Sequence, residues 1–244
     1  MRLVFLGTGA SGGTPGQGRS RRMESSMLVS SGGVRILVDA SRHFDAQSRW
    51  IEGPLDAVLL THAHRDASGG LPRLARWQAI HDGEPLRVLA SAETIAIVRG
   101  RHRRLAPLAL TALASGKTTR IGCFSVTPLI VPHARDPLCS TYAWRLCGPS
   151  TIVYASDVAR LERRLRCFAQ RAELLIIDGA MWGRPLFSHL RIDRELPALC
   201  RWSVERIVVT QIGRSAPPHH ELQRRMAALC TRAIPAYDGL QIET

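Results

Sequence analysis

The stretch THAHRDASGG, residues 61–70, places His62, His64 and Asp66 two positions apart, directly after the apolar run DAVLL. At an extended strand end, residues two apart project to one side. His62 and His64 can therefore face a single ion while Asp66 follows on the turn. Imidazole nitrogens suit borderline divalent metals such as zinc, manganese and iron, and a carboxylate hardens the donor set. Ala67 stands where a further histidine would extend the run. An isolated HxH is met as often on a surface or in a core as at a metal. HxHxD behind a strand-like run is the more specific signal.

Outward from this stretch, apolar runs bounded by Gly, Asp or Pro mark strands: RLVFLG, SSMLVSS, VRILVDA, DAVLLTH, LRVLAS, FSVTPLIVP, TYAWRLC, TIVYAS, ELLIIDG and RIVVTQ. Helical periodicity appears in LPRLARWQAIH, AETIAIVRGRHRRL, VARLERRLRCFAQRA, RIDRELPALCRW and HHELQRRMAALC, the last opened by Pro217 and Pro218. Hairpin-like strands followed by strand and helix alternation predict two sheets with helices outside. Asp39, His62 with His64, His133, Asp157, Asp178 and Gln211 each fall just after such a run. Ligand sites of α/β proteins gather where strands end, so these residues predict a shared rim.

Composition sets the bounds. A chain of 244 residues with 45% hydrophobic residues is long enough for one substantial core, read here as a single domain over 1–244. No run of about 20 apolar residues occurs and the start lacks a secretory layout, so a cytoplasmic protein without a membrane span is expected. Cys123, Cys139, Cys147, Cys167, Cys200 and Cys230 are scattered without a CxxC pair, the pattern of free, mostly structural thiols. The net charge of +13 raises nucleic-acid binding, but Lys117 is the only lysine and the arginines spread along the chain. Their local groups, RSRR (19–22), RGRHRR (99–104) and RLERRLR (160–166), fit solvated helix faces or an anion-friendly rim better.

LGTGASGGTPG after the first run, LVDAS at Asp39, THAHRDA, IVPHARD at His133, YASD at Asp157 and a terminal IPAYDGLQI together resemble the metallo-β-lactamase superfamily, nearly end to end. The likeness is greatest to its phosphodiesterase branch, which includes tRNA 3′-end endonucleases and the cyclic phosphodiesterase of phosphonate breakdown. LLIIDGAMW with FSHLRIDREL also resembles the B protein of pyrroloquinoline quinone synthesis. The resemblance implies an αββα sandwich, two mixed β-sheets flanked by helices, and a metal-dependent hydrolase. His62, His64 and His133 match the three histidines of the first metal site, and Asp157 matches the aspartate that bridges two metals. Asp66 matches the aspartate of the second site, whereas Ala67 and Gln211 replace both of its histidines. His189 matches a histidine used near the scissile phosphate.

Three readings of that loss stand side by side. One ion works alone, with Asp66 as base or water-orienting group. Two ions bind, the second held by Asp66, Asp157 and an imported His189, His219 or His220. Or the site is vestigial and the protein is a non-catalytic accessory. The expected cofactor is zinc or manganese, with iron possible, at one definite site. The expected partner is a small phosphodiester, cyclic phosphate or nucleotide, because the cysteine-rich zinc cluster and the tRNA-gripping arm of the branch are missing. Lactone or thioester hydrolysis is the alternative chemistry, nucleic acid is not favoured, and a homodimer is possible. Asp39 is expected to orient a ligand histidine through its ring N–H. Ser11 or Thr14 of the glycine-rich loop are candidate substrate contacts.

Overall fold

Fourteen strands form two seven-stranded sheets among the described residues, which in this computed structural model are 1–81, 84–133 and 140–244. The first sheet contains β1 (Arg2–Gly7), β2 (Ser26–Ser31), β3 (Val34–Val38), β4 (Ala57–Leu59), β5 (Leu86–Ala90), β6 (Leu108–Ala112) and, from the far end of the chain, β14 (Gln241–Glu243), ordered β14-β1-β2-β3-β4-β5-β6. The second contains β7 (Thr119–Ile121), β8 (Phe124–Val131), β9 (Thr141–Cys147), β10 (Thr151–Ala155), β11 (Ala172–Asp178), β12 (Val204–Thr210) and β13 (Ala233–Pro235) in the order β13-β12-β11-β10-β9-β8-β7. Hairpins supply the antiparallel half of each sheet, while β3-β4-β5-β6 and β10-β11-β12-β13 run parallel. Both sheets are thus mixed, as the resemblance implies.

The helices are α1 (Phe44–Gln47), α2 (Arg65–Ser68), α3 (Leu71–His81), α4 (Ala92–Arg101), α5 (Arg163–Phe168), α6 (Ile192–Leu199) and α7 (His219–Leu229). Their placement follows from three apolar clusters. Phe5, Met27, Ile36, Leu59, Trp144, Tyr154 and Ile176 belong to a layer shared by the two sheets. Leu71 and Leu74 of α3 and Ile95 and Val98 of α4 pack with Leu37, Val58 and Val88 on the outer face of the first sheet. Leu165, Leu196, Leu222 and Met226, from α5, α6 and α7, cover Val153, Leu175 and Val209 on the second. The central parallel strands are buried on both faces, which is why LLII and AVLL are continuous apolar runs rather than alternating ones. Each such Leu or Ile withdrawn from water contributes about 2 kcal/mol before entropy is counted.

All ten strand runs and all five helical segments fold as read, although VARLERRLRCFAQRA is helical only over Arg163–Phe168. The reading of the cysteines is corrected in one respect. Cys200 and Cys230 end α6 and α7, whose packing brings their Cα atoms to 5.6 Å and their sulfurs into a disulfide. A separation of 30 residues carries no sign of that neighbourhood. Cys123, Cys147 and Cys167 are free, and Cys139 lies outside the described residues. No helix among the described residues is long and apolar enough to cross a membrane.

Candidate metal centre

The rim expected at strand ends exists. Thr61 and His62 follow β4, His133 follows β8, Asp157 follows β10, Asp178 ends β11 and Gln211 follows β12. These strands point their C-terminal ends toward one edge of the sandwich, where the chain must leave the ladder and side chains are released from sheet packing. Asp39 and Gln211 adopt left-handed backbone, with φ of 61° and 56°. For non-glycine residues this conformation is costly and recurs at functional sites, where the surroundings hold it in place.

His62, His64 and His133 present one ring nitrogen each, all within 4.8 Å of one another. Their rings meet edge to face at centroid distances of 4.5, 5.1 and 5.3 Å. The rings of His62 and His133 are held from behind. The Thr61 hydroxyl lies 2.9 Å from His62 Nδ1 and itself bonds the Asp39 carboxylate, which also accepts the Thr61 N–H. Asp39 therefore orients His62 through Thr61, and not by the direct ring contact expected from sequence. His133 Nδ1 lies 2.7 Å from the Ser188 carbonyl, which fixes Nε2 as the inward nitrogen. His62 Nε2 is buried without a hydrogen-bond partner. A buried imidazole nitrogen left bare is costly unless something accepts its lone pair, and its convergence with the His64 and His133 rings fits a divalent cation. Burial lowers the His62 pKa to about 3 and lowers that of His64, so both are neutral, the form that ligates.

Asp157 lies beside this cluster, Oδ1 being 3.8 Å from His133 Nε2. Although fully buried, it is held down at about 2 by His62, His133 and His189 and by a 2.6 Å hydrogen bond from the Ser156 hydroxyl. His133, Asp157 and His189 form a second group whose ligand atoms lie within 4.8 Å of one another. His189 Nδ1 is 2.7 Å from the buried Asp178 carboxylate. Burial works to lower the His189 pKa, but Asp178, with Asp157 and Asp66 beyond, outweighs it and raises the imidazolium to about 9. Asp178 thus has a definite partner that its strand-end position did not disclose.

The place of a second ion is built differently. Ala67 is buried on α2 and offers no donor. The Gln211 amide nitrogen donates to Asp66 Oδ2 at 3.2 Å and to Asp157 Oδ1 at 2.9 Å, so one NH2 group bridges the two carboxylates that would share a second cation. Gln211 Oε1 is left buried and unpartnered. Burial, with Asp157 and Glu24 nearby, raises Asp66 to about 6. In place of the two expected imidazoles, this side offers two carboxylates bridged by an amide. Of the candidate imported ligands, His219 is engaged by Arg22 at 3.0 Å and His220 is exposed, which leaves His189 alone in the centre. Thr14 spends its hydroxyl on the Ile212 carbonyl at 2.7 Å.

The comparisons with known proteins agree with this architecture. The chain is 27% identical to an octanoyltransferase of Porphyromonas gingivalis, over 99% of this chain and 51% of that protein. It is 33% identical to ribonuclease Z of Bradyrhizobium, over 54% of this chain and 46% of that protein. The chain spans about half the length of these two curated relatives. The crystal structure of a diphosphatase from the PhnP family superposes with a TM-score of 0.88 at 21% identity, covering 100% of this chain and 97% of that one. Zinc-bound PqqB from Methylobacterium extorquens superposes with a TM-score of 0.84 at 21% identity, covering 100% of both chains. The model of the beta-lactamase superfamily domain matches residues 34–212, and this chain belongs to the metallo-β-lactamase superfamily.

Proposed function

We propose that this protein is a metal-dependent phosphodiesterase that works with one divalent ion on a small phosphodiester, cyclic phosphate or nucleotide. The observation that carries the reading is the junction of two devices at one edge: three convergent imidazoles and, against them, a histidine kept protonated by a buried carboxylate. His62, His64 and His133, with Asp157 alongside, hold the ion, and their nitrogen-rich set suits zinc or manganese. A divalent ion there supplies an acidified water at neutral pH and Lewis-acid polarisation of a phosphoryl oxygen.

The side chains do the rest. Asp66, poised near neutrality, orients the attacking water and accepts its proton as the new P–O bond forms. His189 reaches forward from Asp178 with its Nε2–H. That hydrogen stabilises the charge developing on the phosphoryl oxygens and then protonates the departing alkoxide as the old P–O bond breaks. The diphosphatase and ribonuclease names among the similar proteins support phosphorus chemistry.

Turnover of bis(p-nitrophenyl) phosphate set against lactone and thioester panels tests the reading, with metal content per chain measured on the same preparations. Phosphodiester turnover at about one metal equivalent, lost in His64→Ala, supports it. Turnover of carbonyl substrates alone overturns it.

A further inference from the structure

At the opposite edge of the second sheet from the metal centre lies a cavity of ≈ 360 Å³ lined by Arg163, Arg166, Cys167, Gln170, Arg201 and Ser203. Cys167 and Gln170 also line an adjoining hollow with Arg145, Phe168 and Arg171. The two are therefore contiguous, and arginines from four segments surround them: β9, α5, the turn before β11 and the turn after α6. No side chain of either lining is acidic, and none of the five arginines forms an ion pair among the described residues. Glu162, at the start of α5, is paired with Arg160 at 2.8 Å. Three links between segments hold the shape. Arg145 donates to the Phe168 and Gln170 carbonyls, the Arg171 N–H donates to the Ser203 carbonyl at 2.7 Å, and the Cys200–Cys230 disulfide ties the turn that carries Arg201 to the end of α7. Arg171 sits in left-handed backbone, φ 59°, which a non-glycine residue keeps only where its surroundings hold it.

We propose that this basin binds a chain of phosphates, an inorganic oligophosphate or the triphosphate of a nucleotide, as a site separate from the metal centre. Arg171 and Ser203 stand just before β11 and β12, whose other ends carry Asp178 and Gln211 on the rim. Seven residues of strand put about 20 Å between the two places, so a phosphate chain in the basin is out of reach of the metal ligands. Five guanidiniums without counter-charge repel one another, and an anion with several adjacent charges relieves that repulsion most fully. Guanidinium forks also match phosphate oxygens in pairs. One orthophosphate would leave most of the cluster unmatched. A nucleic-acid strand distributes its charges singly along a track, whereas these cations close around one basin. The inference is independent of the phosphodiesterase reading, and it gives the 160–166 arginine group a role: Arg163 and Arg166 line a cavity instead of a plain solvated face.

Cys167 is exposed within the basin and Cys123 is exposed in the turn between β7 and β8. Alkylation by iodoacetamide, followed at each cysteine by peptide mass spectrometry, therefore reads the site locally. At physiological ionic strength, tripolyphosphate should slow Cys167 about 10-fold and saturably, leave Cys123 within about 2-fold, and act at lower concentration than orthophosphate. Replacing Arg163, Arg166 and Arg201 together by Gln should abolish the protection. Replacing the exposed Arg99, Arg103 and Arg104 by Gln, the same loss of charge on and after α4, should keep it. Arg201→Gln alone should weaken protection about 3-fold, which keeps the test decisive if the triple replacement folds poorly. All of these variants retain the metal ligands, so chelation by the probe cannot produce the contrast. Equal protection by ATP and tripolyphosphate, with adenosine silent, identifies the phosphate chain itself as the ligand; tighter protection by ATP identifies a nucleoside triphosphate. The proposal is overturned by absent protection, by orthophosphate acting equally, or by protection that survives the Arg163, Arg166 and Arg201 replacements. Stronger protection by a single-stranded RNA oligomer at equal phosphate concentration also overturns it.

Discussion

On one side of Asp157, three imidazoles converge around a buried nitrogen with no partner; on the other, the Gln211 amide already occupies the space between two carboxylates. The same loop, residues 61–70, supplies ligands to both sides, so local sequence does not distinguish them. The difference lies in electrostatic satisfaction. On the histidine side, the buried His62 Nε2 has no hydrogen-bond partner. On the carboxylate side, two N–H dipoles stand in for a positive charge, at the cost of a strained backbone at Gln211 and a bare Oε1. A site whose second imidazole set has been lost can therefore remain ordered without a second ion, provided the carboxylates find other donors.

The largest effect expected from breaking this contrast is on the histidine side. His64→Ala should reduce bound metal to a small fraction of an equivalent by elemental analysis, and lower kcat/KM on bis(p-nitrophenyl) phosphate by about 10³-fold or more. Next comes the proton donor. His189→Gln should keep the metal and the KM while lowering kcat about 10²-fold. Its pH profile sharpens the point. A histidine raised to about 9 delivers its proton below that pH and loses it as pH rises through 9, so activity should fall on the alkaline side. Asp178→Asn removes the main stabilising charge and should move that fall toward the ordinary histidine range. An alkaline limb unmoved by Asp178→Asn would remove His189 from the mechanism.

The carboxylate side should respond in stability first. Gln211→Leu leaves Asp66 and Asp157 facing each other without the bridging amide and should cost about 2 kcal/mol in urea denaturation of the chelated protein at neutral pH. Asp66 sits near 6 in the folded chain, above its ordinary value, so the folded state takes up its proton first. The cost should therefore shrink as pH falls below 6 and appear fully above it. The smallest change is also the most diagnostic: Ala67→His with Gln211→His should raise metal content from about one equivalent to about two. Unchanged stoichiometry would mean that more than the amide keeps the second ion away.

Much of this was legible in the residues. Strands β3, β4, β10, β11 and β12 announce themselves as apolar runs, and each leads to a polar residue that the structure places on the rim. His62 and His64 were readable as a pair because a strand end has a period of two. The short edge strands β6 and β7 were not read as strands, since three to five residues without a buried face on both sides leave little pattern, and the terminal tract IPAYDGLQI, read as one strand, contributes to β13 and β14 in different sheets. The partnership of Asp178 with His189 was half visible: both were marked, but a separation of 11 residues conceals that a loop returns the imidazole to the strand end. The relay from Asp39 through Thr61 to His62 was missed because a threonine beside a ligand histidine has no distinctive spacing.

By itself, the sequence determined the donor types, the order of strands and helices, and the superfamily to which they belong. These depend on local periodicity and on residue chemistry, which are read within a few positions. Only the tertiary structure decided that Gln211, 145 residues from Asp66, closes the second ion's place, that Cys200 meets Cys230, and that arginines from four segments surround one basin at the far edge of the second sheet. Those outcomes depend on through-space distances of a few ångströms between segments remote in the chain. Coulomb interactions and hydrogen bonds act over such distances whatever the number of residues between the partners.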